Sequence, residues 1–194
     1  MSINTILVVI NVVVSLIALN NRDTFYKLDF QPYMIQRKNE WFRFITHAFV
    51  HADYMHLAVN MYVLYYFGDA VLSGFSFIAG AQGVLYYVLL YLGGILFSTI
   101  PGYARHRDNY NYHGVGASGA VSAVVYSFIV MAPFAPMGLL FIPFRIDAWI
   151  FGILYFAFEV YSDRNRRSNI AHSAHYFGAA FGVLMTILLN PDYI

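Results

Sequence analysis

Ser118 stands where a serine could act as a nucleophile. The stretch HGVGASGAVSA (113–123) surrounds it with Gly114, Gly116, Ala117, Gly119 and Ala120 at the mouth of an apolar run. Gly116 and Gly119 leave the hydroxyl and backbone N–H accessible, and a helix start offers amide donors to a developing negative charge. A serine hydroxyl is a weak nucleophile until a base takes its proton. The candidate base is His175, in NIAHSAHYFGAAFG (169–182), whose helix would carry Gly178, Ala179 and Gly182 on the same face. Such a stripe lets membrane helices approach closely, here within reach of an imidazole–hydroxyl hydrogen bond. The same preference gives Ser118 a plain alternative role as a small packing residue, and Ser122 is read as packing only. His172, one turn nearer the loop and farther from the stripe, is a second candidate base.

The segment THAFVHADYMHLAVN (46–60) adds donors. His56 and Asn60 are four apart, hence stacked on one helical face. With the Ser118 N–H they suit an oxyanion hole, where one donor is worth about 2.7–4 kcal/mol of transition-state stabilisation. His47 and His51 are read as structural, tying down the preceding loop through buried hydrogen bonds. Five of the seven histidines lie in these two flanking segments, yet no HExxH is present. The acidic residues of the apolar segments, Asp53, Asp69, Asp147 and Glu159, do not follow a histidine in ligand spacing. No metal is assigned, and the chemistry needs no cofactor.

These residues require a membrane scaffold. Of 194 residues, 60% are hydrophobic and 11% charged, with a mean hydropathy of +0.58; soluble domains are roughly 25% charged. The length suits one domain, 1–194, an all-α bundle with spans at 4–20, 52–70, 80–101, 115–132, 146–161 and 171–189. The first apolar run has no basic residue ahead of it and no small-residue cleavage site, so it reads as a span rather than a signal peptide. Residues 21–45 are too charged to span and rich in aromatics, as expected of a structured loop at the interface. Pro101 and Gly102 are expected to end the third span, and 137–144 to form a re-entrant or interfacial piece. The absence of cysteine excludes disulfides and thiolate metal sites, and a net charge of +1 without a basic aromatic patch gives no nucleic-acid partner. With six spans, Ser118, His175 and the 47–60 histidines converge at one membrane face.

Taken together, EWFRFITHAFVHADYMHLAVN (40–60), GASGA (116–120) and AHSAHYFGAAFG (171–182), placed on the second, fourth and sixth spans, resemble the rhomboid family of intramembrane serine proteases. The resemblance covers most of the chain, from Trp41 to Gly182. It implies a six-helix bundle in the lipid bilayer that cleaves transmembrane protein substrates near the interface. It also implies a Ser118–His175 dyad without an acidic third member, His56 and Asn60 in the oxyanion hole, and Trp41 and Arg43 as the first-loop pair. Several members place an aromatic one turn after the nucleophile; here that position is Ser122, which leaves Tyr126, Tyr176 and Phe177 as candidates to pack on His175. The fifth helix and the polar 162–169 loop are the expected moving parts, since a substrate must enter from the side.

Orientation is read in two ways. Ten of the eleven basic residues fall in the first, third and fifth loops, which the positive-inside rule makes cytoplasmic. The resemblance implies a bacterial inner membrane with the site facing outward. Two other functions are kept open: an inactive relative that binds transmembrane clients, and a transporter or metal-binding protein that uses the histidines.

Overall fold

The computed structural model describes residues 1–138, 145–165 and 171–189. The chain forms the expected polytopic all-α bundle, and the stretches read as spans fall on helices α1 (Ile3–Asn20), α5 (Tyr54–Ala79), α6 (Gln82–His106), α7 (Ser118–Met131), α8 (Ala148–Asn165) and α9 (His172–Leu189), with α5 and α6 running on past the expected ends at 70 and 101. Helices α1, α5, α6 and α9 are long and apolar enough to cross a membrane. α8 equals α1 and α9 in length with 18 residues but carries Glu159, Asp163 and Arg164. α7 has only 14 residues, about 21 Å at 1.5 Å per residue, against a hydrocarbon core of about 30 Å.

α7 can be short because it is the centre of the bundle. Every residue from Gly119 to Ser127 is buried, and α5, α6 and α9 all pack on it. Irregular backbone at membrane depth is tolerated where protein surrounds it, so the loop leading into Ser118 can sit below the headgroups.

α1 is held by a polar seam. Asn4, Asn11 and Ser15 share one face and are fully buried. The Tyr87 hydroxyl donates to Asn4 Oδ1 at 2.7 Å, Asn11 donates to the Tyr91 hydroxyl at 2.9 Å, and Ser15 pairs with His51 at 2.7 Å. Hydrocarbon gives helices no hydrophobic reason to pair, so such hydrogen bonds and close contacts must select the neighbours.

α6 does not stop at Pro101. It runs on to His106 with the proline inside it, as membrane helices tolerate. In the turn before it, Ser98 and Thr99 donate to the carbonyls of Ile95 and Leu96 at 2.7 Å each. The 21–45 segment contains α2 (Arg22–Leu28), α3 (Pro32–Lys38) and the start of α4 (Arg43–Thr46), followed by a 3₁₀ turn at His47–Phe49. β1 (Pro136–Gly138) and β2 (Arg145–Asp147) pair antiparallel, with Met137 opposite Ile146; the rest of the expected 137–144 piece lies outside the described residues. Residues 162–165 of the expected fifth loop are the last turn of α8, and 166–169 lie outside the described residues.

Candidate active site

Ser118 opens α7 and His175 lies in the first turn of α9. The Ser118 hydroxyl is 2.8 Å from His175 Nε2. This approach depends on glycine. A Cβ at Gly178 would collide with the backbone of Gly119, and one at Gly182 with the backbone of Ala123. The α9 stripe therefore rests directly on the α7 main chain. Gly119 in turn leaves no space for a Cβ against Ser98 of α6. No side chain caps α7, so the N–H groups at its start keep their hydrogen-bonding capacity.

The loop before Ser118 is fixed by two histidines. The Gly116 N–H donates to the His47 carbonyl at 3.0 Å, and the His47 ring makes a 2.9 Å bond from Nδ1 to the Arg43 carbonyl. The Ala117 N–H donates to His51 Nε2 at 3.4 Å. Ser15 gives its hydroxyl proton to the Phe49 carbonyl at 2.9 Å, so it accepts from His51 Nδ1–H. That assigns the tautomer: Nε2 is the acceptor facing Ala117. Burial holds His47 near a pKa of about 4 and His51 near about 3, so both stay neutral.

Gly116 has φ +116°, a conformation open to glycine. A Cβ there would stand 2.6 Å from His56 Cε1 and 2.9 Å from Nε2. His56 thus lies against the loop two residues before Ser118. Asn60, one turn along α5, donates one amide hydrogen to the His56 carbonyl at 2.9 Å and is buried. A cavity of about 40 Å³ opens beside Ser118, lined in part by His47, Ser98, Gly116 and Ser173; a space of this size and polarity holds water.

Arg43 anchors the first loop from inside. Its guanidinium reaches Asp29 Oδ1 at 2.6 Å, the carbonyls of Tyr26 and Asp29 at 2.9 and 3.0 Å, and Glu40 at 2.6 Å. Asp29 also pairs with His113 at 2.6 Å. Burial pushes the Asp29 carboxyl up, opposed by His113 and Arg43. Phe30 and Gly114 exchange backbone bonds of 2.8 and 2.9 Å. The first loop is therefore clamped to the stretch of chain that leads into Ser118. Trp41 is 59% exposed and stacks on Phe44, as an interfacial aromatic does.

Sequence reasoning did not find the partner of His175. Glu159 of α8 is 3% exposed; its Oε1 is 3.0 Å from His175 Nδ1 and its Oε2 is 2.6 Å from His172 Nδ1. His172, the rival base, therefore faces the carboxylate. Tyr126 instead donates to the Gly152 carbonyl at 2.6 Å and Tyr176 to Asp163 at 3.2 Å, Phe177 packs on Tyr176, and the His172 ring stands edge-on to His175. The signal in the sequence is an ionisable residue inside AWIFGILYFAFEVY, a functional pointer in any span; spacing within that segment does not pair Glu159 with a histidine, because its histidines lie on the next helix.

A rhomboid domain model matches residues 38–191. The chain is 33% identical over 72% of its length to "RHOMBOID-like protein 12, mitochondrial" of Arabidopsis thaliana, covering 44% of that protein. It is 28% identical over 77% of its length to "Putative rhomboid protease YdcA" of Bacillus subtilis (strain 168), covering 67% of it. It is 29% identical over 79% of its length to "Rhomboid protein 1, mitochondrial" of Saccharomyces cerevisiae (strain ATCC 204508 / S288c), covering 44%. The chain thus spans less than half the length of the two mitochondrial relatives. Two of the three names carry "mitochondrial", so the comparisons do not single out a bacterial inner membrane. Helices fit to cross a bilayer, a serine and a histidine joined across a glycine-lined contact, and a family model spanning most of the sequence together make this an integral membrane protein of the rhomboid family.

Proposed function

We propose that the protein is an intramembrane serine endopeptidase acting on transmembrane protein substrates. The observation that carries this reading is the 2.8 Å contact between Ser118 Oγ and His175 Nε2 beside a cavity that admits water. A substrate helix loosened near the interface presents its carbonyl to Ser118. His175 takes the hydroxyl proton as the Oγ–carbon bond forms, and later gives it to the leaving amine. His56, Asn60 and the Ser118 N–H carry the oxyanion. Water then releases the acyl group by the reverse sequence. The side route past α8 is the proposed entry, and the proposed location is a bacterial inner membrane with the site facing outward.

Labelling with a serine-directed fluorophosphonate, followed by peptide mapping, tests the assignment. Attachment is expected at Ser118, to be lost in His175→Ala, and both Ser118→Ala and His175→Ala are expected to stop cleavage of a reconstituted transmembrane substrate. Cleavage by Ser118→Ala at the parent rate overturns the proposal and favours another chemistry.

One observation favours a second reading. Ligand atoms of Glu159, His172 and His175 all lie within 4.8 Å of one another, and two imidazoles with a carboxylate suit zinc. Stoichiometric metal in the purified protein, lost on His172→Ala, would support that rival.

A further inference from the structure

We propose that Glu159 is the positioning residue for the His175 base, with His172 fixing the far side of its carboxylate. This rests on the Ser118–His175 reading above.

A carboxylate buried in an apolar helix is costly unless its oxygens are partnered. Glu159 divides its two oxygens between two imidazoles: Oε1 with His175 Nδ1 at 3.0 Å and Oε2 with His172 Nδ1 at 2.6 Å. The opposite nitrogen of His175 faces Ser118. A neutral imidazole has one donor and one acceptor nitrogen, and an ionised carboxylate only accepts. Glu159 therefore draws the ring proton to Nδ1 and leaves Nε2 able to receive the proton of Ser118. When Nε2 takes it, the ring becomes a cation beside a carboxylate that stabilises it. The carboxylate gains no proton in this step. The proton moves from Ser118 Oγ to Nε2, and the ring keeps its own on Nδ1.

His172 has a separate part. A carboxylate held on one oxygen can swing about its side chain, whereas a second donor from the preceding turn of α9 fixes its plane. Among the described residues, the phenols of Tyr155, on its own helix, and Tyr126 of α7 also face Glu159 and are uncharged at neutral pH, and the carboxylate of Asp163, one turn on along α8, acts on His172 from the other side.

The test compares parent, Glu159→Gln, Glu159→Asp and Ser118→Ala on one reconstituted substrate. Glu159→Gln is expected to lower kcat by about 10²–10⁴-fold with KM changed less than about threefold. Glu159→Asp, which keeps the charge, is expected to regain part of kcat, whereas Glu159→Gln, which keeps the size and loses the charge, is not. A merely structural role would follow side-chain size instead and favour Glu159→Gln. Unchanged kcat in Glu159→Gln, with turnover still abolished in Ser118→Ala, overturns the role of Glu159 alone; parent-rate turnover in Ser118→Ala overturns the underlying mechanism as well. Should Glu159→Gln fail to fold, proton NMR of the parent decides. A strongly downfield Nδ1 proton that vanishes in His175→Ala supports the assignment, and its absence overturns it.

Discussion

Gly178 of α9 lies on the backbone of Gly119 in α7, one residue beyond Ser118, with no space between them for a methyl group. Ala stabilises an exposed helix over Gly by about 0.8–1 kcal/mol, so Gly178→Ala would help if propensity decided. Overpacking costs about 1–3 kcal/mol and pushes α9 off α7 at the turn that carries His175. Gly178→Ala is expected to lower thermal stability and reduce substrate turnover at least tenfold. A variant that cleaves at the parent rate contradicts this contact.

Gly116 is constrained twice, by its φ of +116° and by the His56 ring. Gly116→Ala is expected to slow turnover strongly, with backbone strain of about 1–3 kcal/mol appearing as a lower unfolding midpoint. Fluorophosphonate labelling of Ser118 reads the effect on the nucleophile without any substrate; parent-rate labelling would show that the loop tolerates the change.

Two arginines give a contrast in burial. The Arg43 and Asp29 side chains are 6% and 0% exposed, whereas Arg105, paired with Asp163 at 2.9 Å, is 50% exposed. Removing one member of a buried pair costs about 3–5 kcal/mol, and an exposed pair is worth about 1 kcal/mol at most. Arg43→Gln is expected to cause a large loss of thermal stability and to make residues 21–45 sensitive to added protease. Arg105→Gln is expected to do neither. Equal melting shifts in the two variants would contradict the assignment of Arg43 as the internal anchor.

Acid should weaken the fold through His47 and His51. Both ionise near 6.5 when exposed, and burial lowers them to about 4 and about 3. Above pH 6.5 neither the folded nor the unfolded chain is protonated there, and the stabilisation is complete. As pH falls from 6.5 toward 4, the unfolded chain binds protons that the folded chain refuses. Stability then drops by about 1.4 kcal/mol per unit for each histidine. Unfolding midpoints should be flat from pH 8 to 7 and decline toward pH 5, with a shallower decline in His51→Gln. A level profile down to pH 5 would contradict the neutral, buried assignment.

Orientation is open to a clean measurement because the chain has no cysteine. Single cysteines placed at Arg107 and at Arg145 should react from opposite sides of the membrane with an impermeant maleimide. On the outward-facing reading, Arg107→Cys is labelled in intact cells; labelling of Arg145→Cys instead would make the charge distribution the better guide.

The sequence made the approach of Ser118 and His175 legible because each part is local. GASGA marks a helix start, and the offsets from His175 to Gly182 mark one helix face. Closeness of α7 and α9 followed from the glycines alone. What could not be read were relations between distant segments. Glu159 and His175 meet across the α8–α9 contact, and no spacing within α8 announces it. Asn4, Asn11 and Ser15 look incidental in an apolar run until Tyr87, Tyr91 and His51 supply their partners. Pro101 reads as a terminator because it removes a donor and clashes with the preceding turn, yet it lies inside α6, a packed helix in which membrane proteins tolerate proline.

α8 bears the carboxylate and also walls one flank of the site, touching chiefly α9 and α7. The 3.0 Å contact between Glu159 and His175 spans the α8–α9 seam, so a movement of α8 away from α9 would lengthen it. With the proposed roles, admitting a client and arming the base become alternate phases of a single interlock: a polypeptide half inside meets a histidine with no counter-ion, and cutting waits until the wall has swung home.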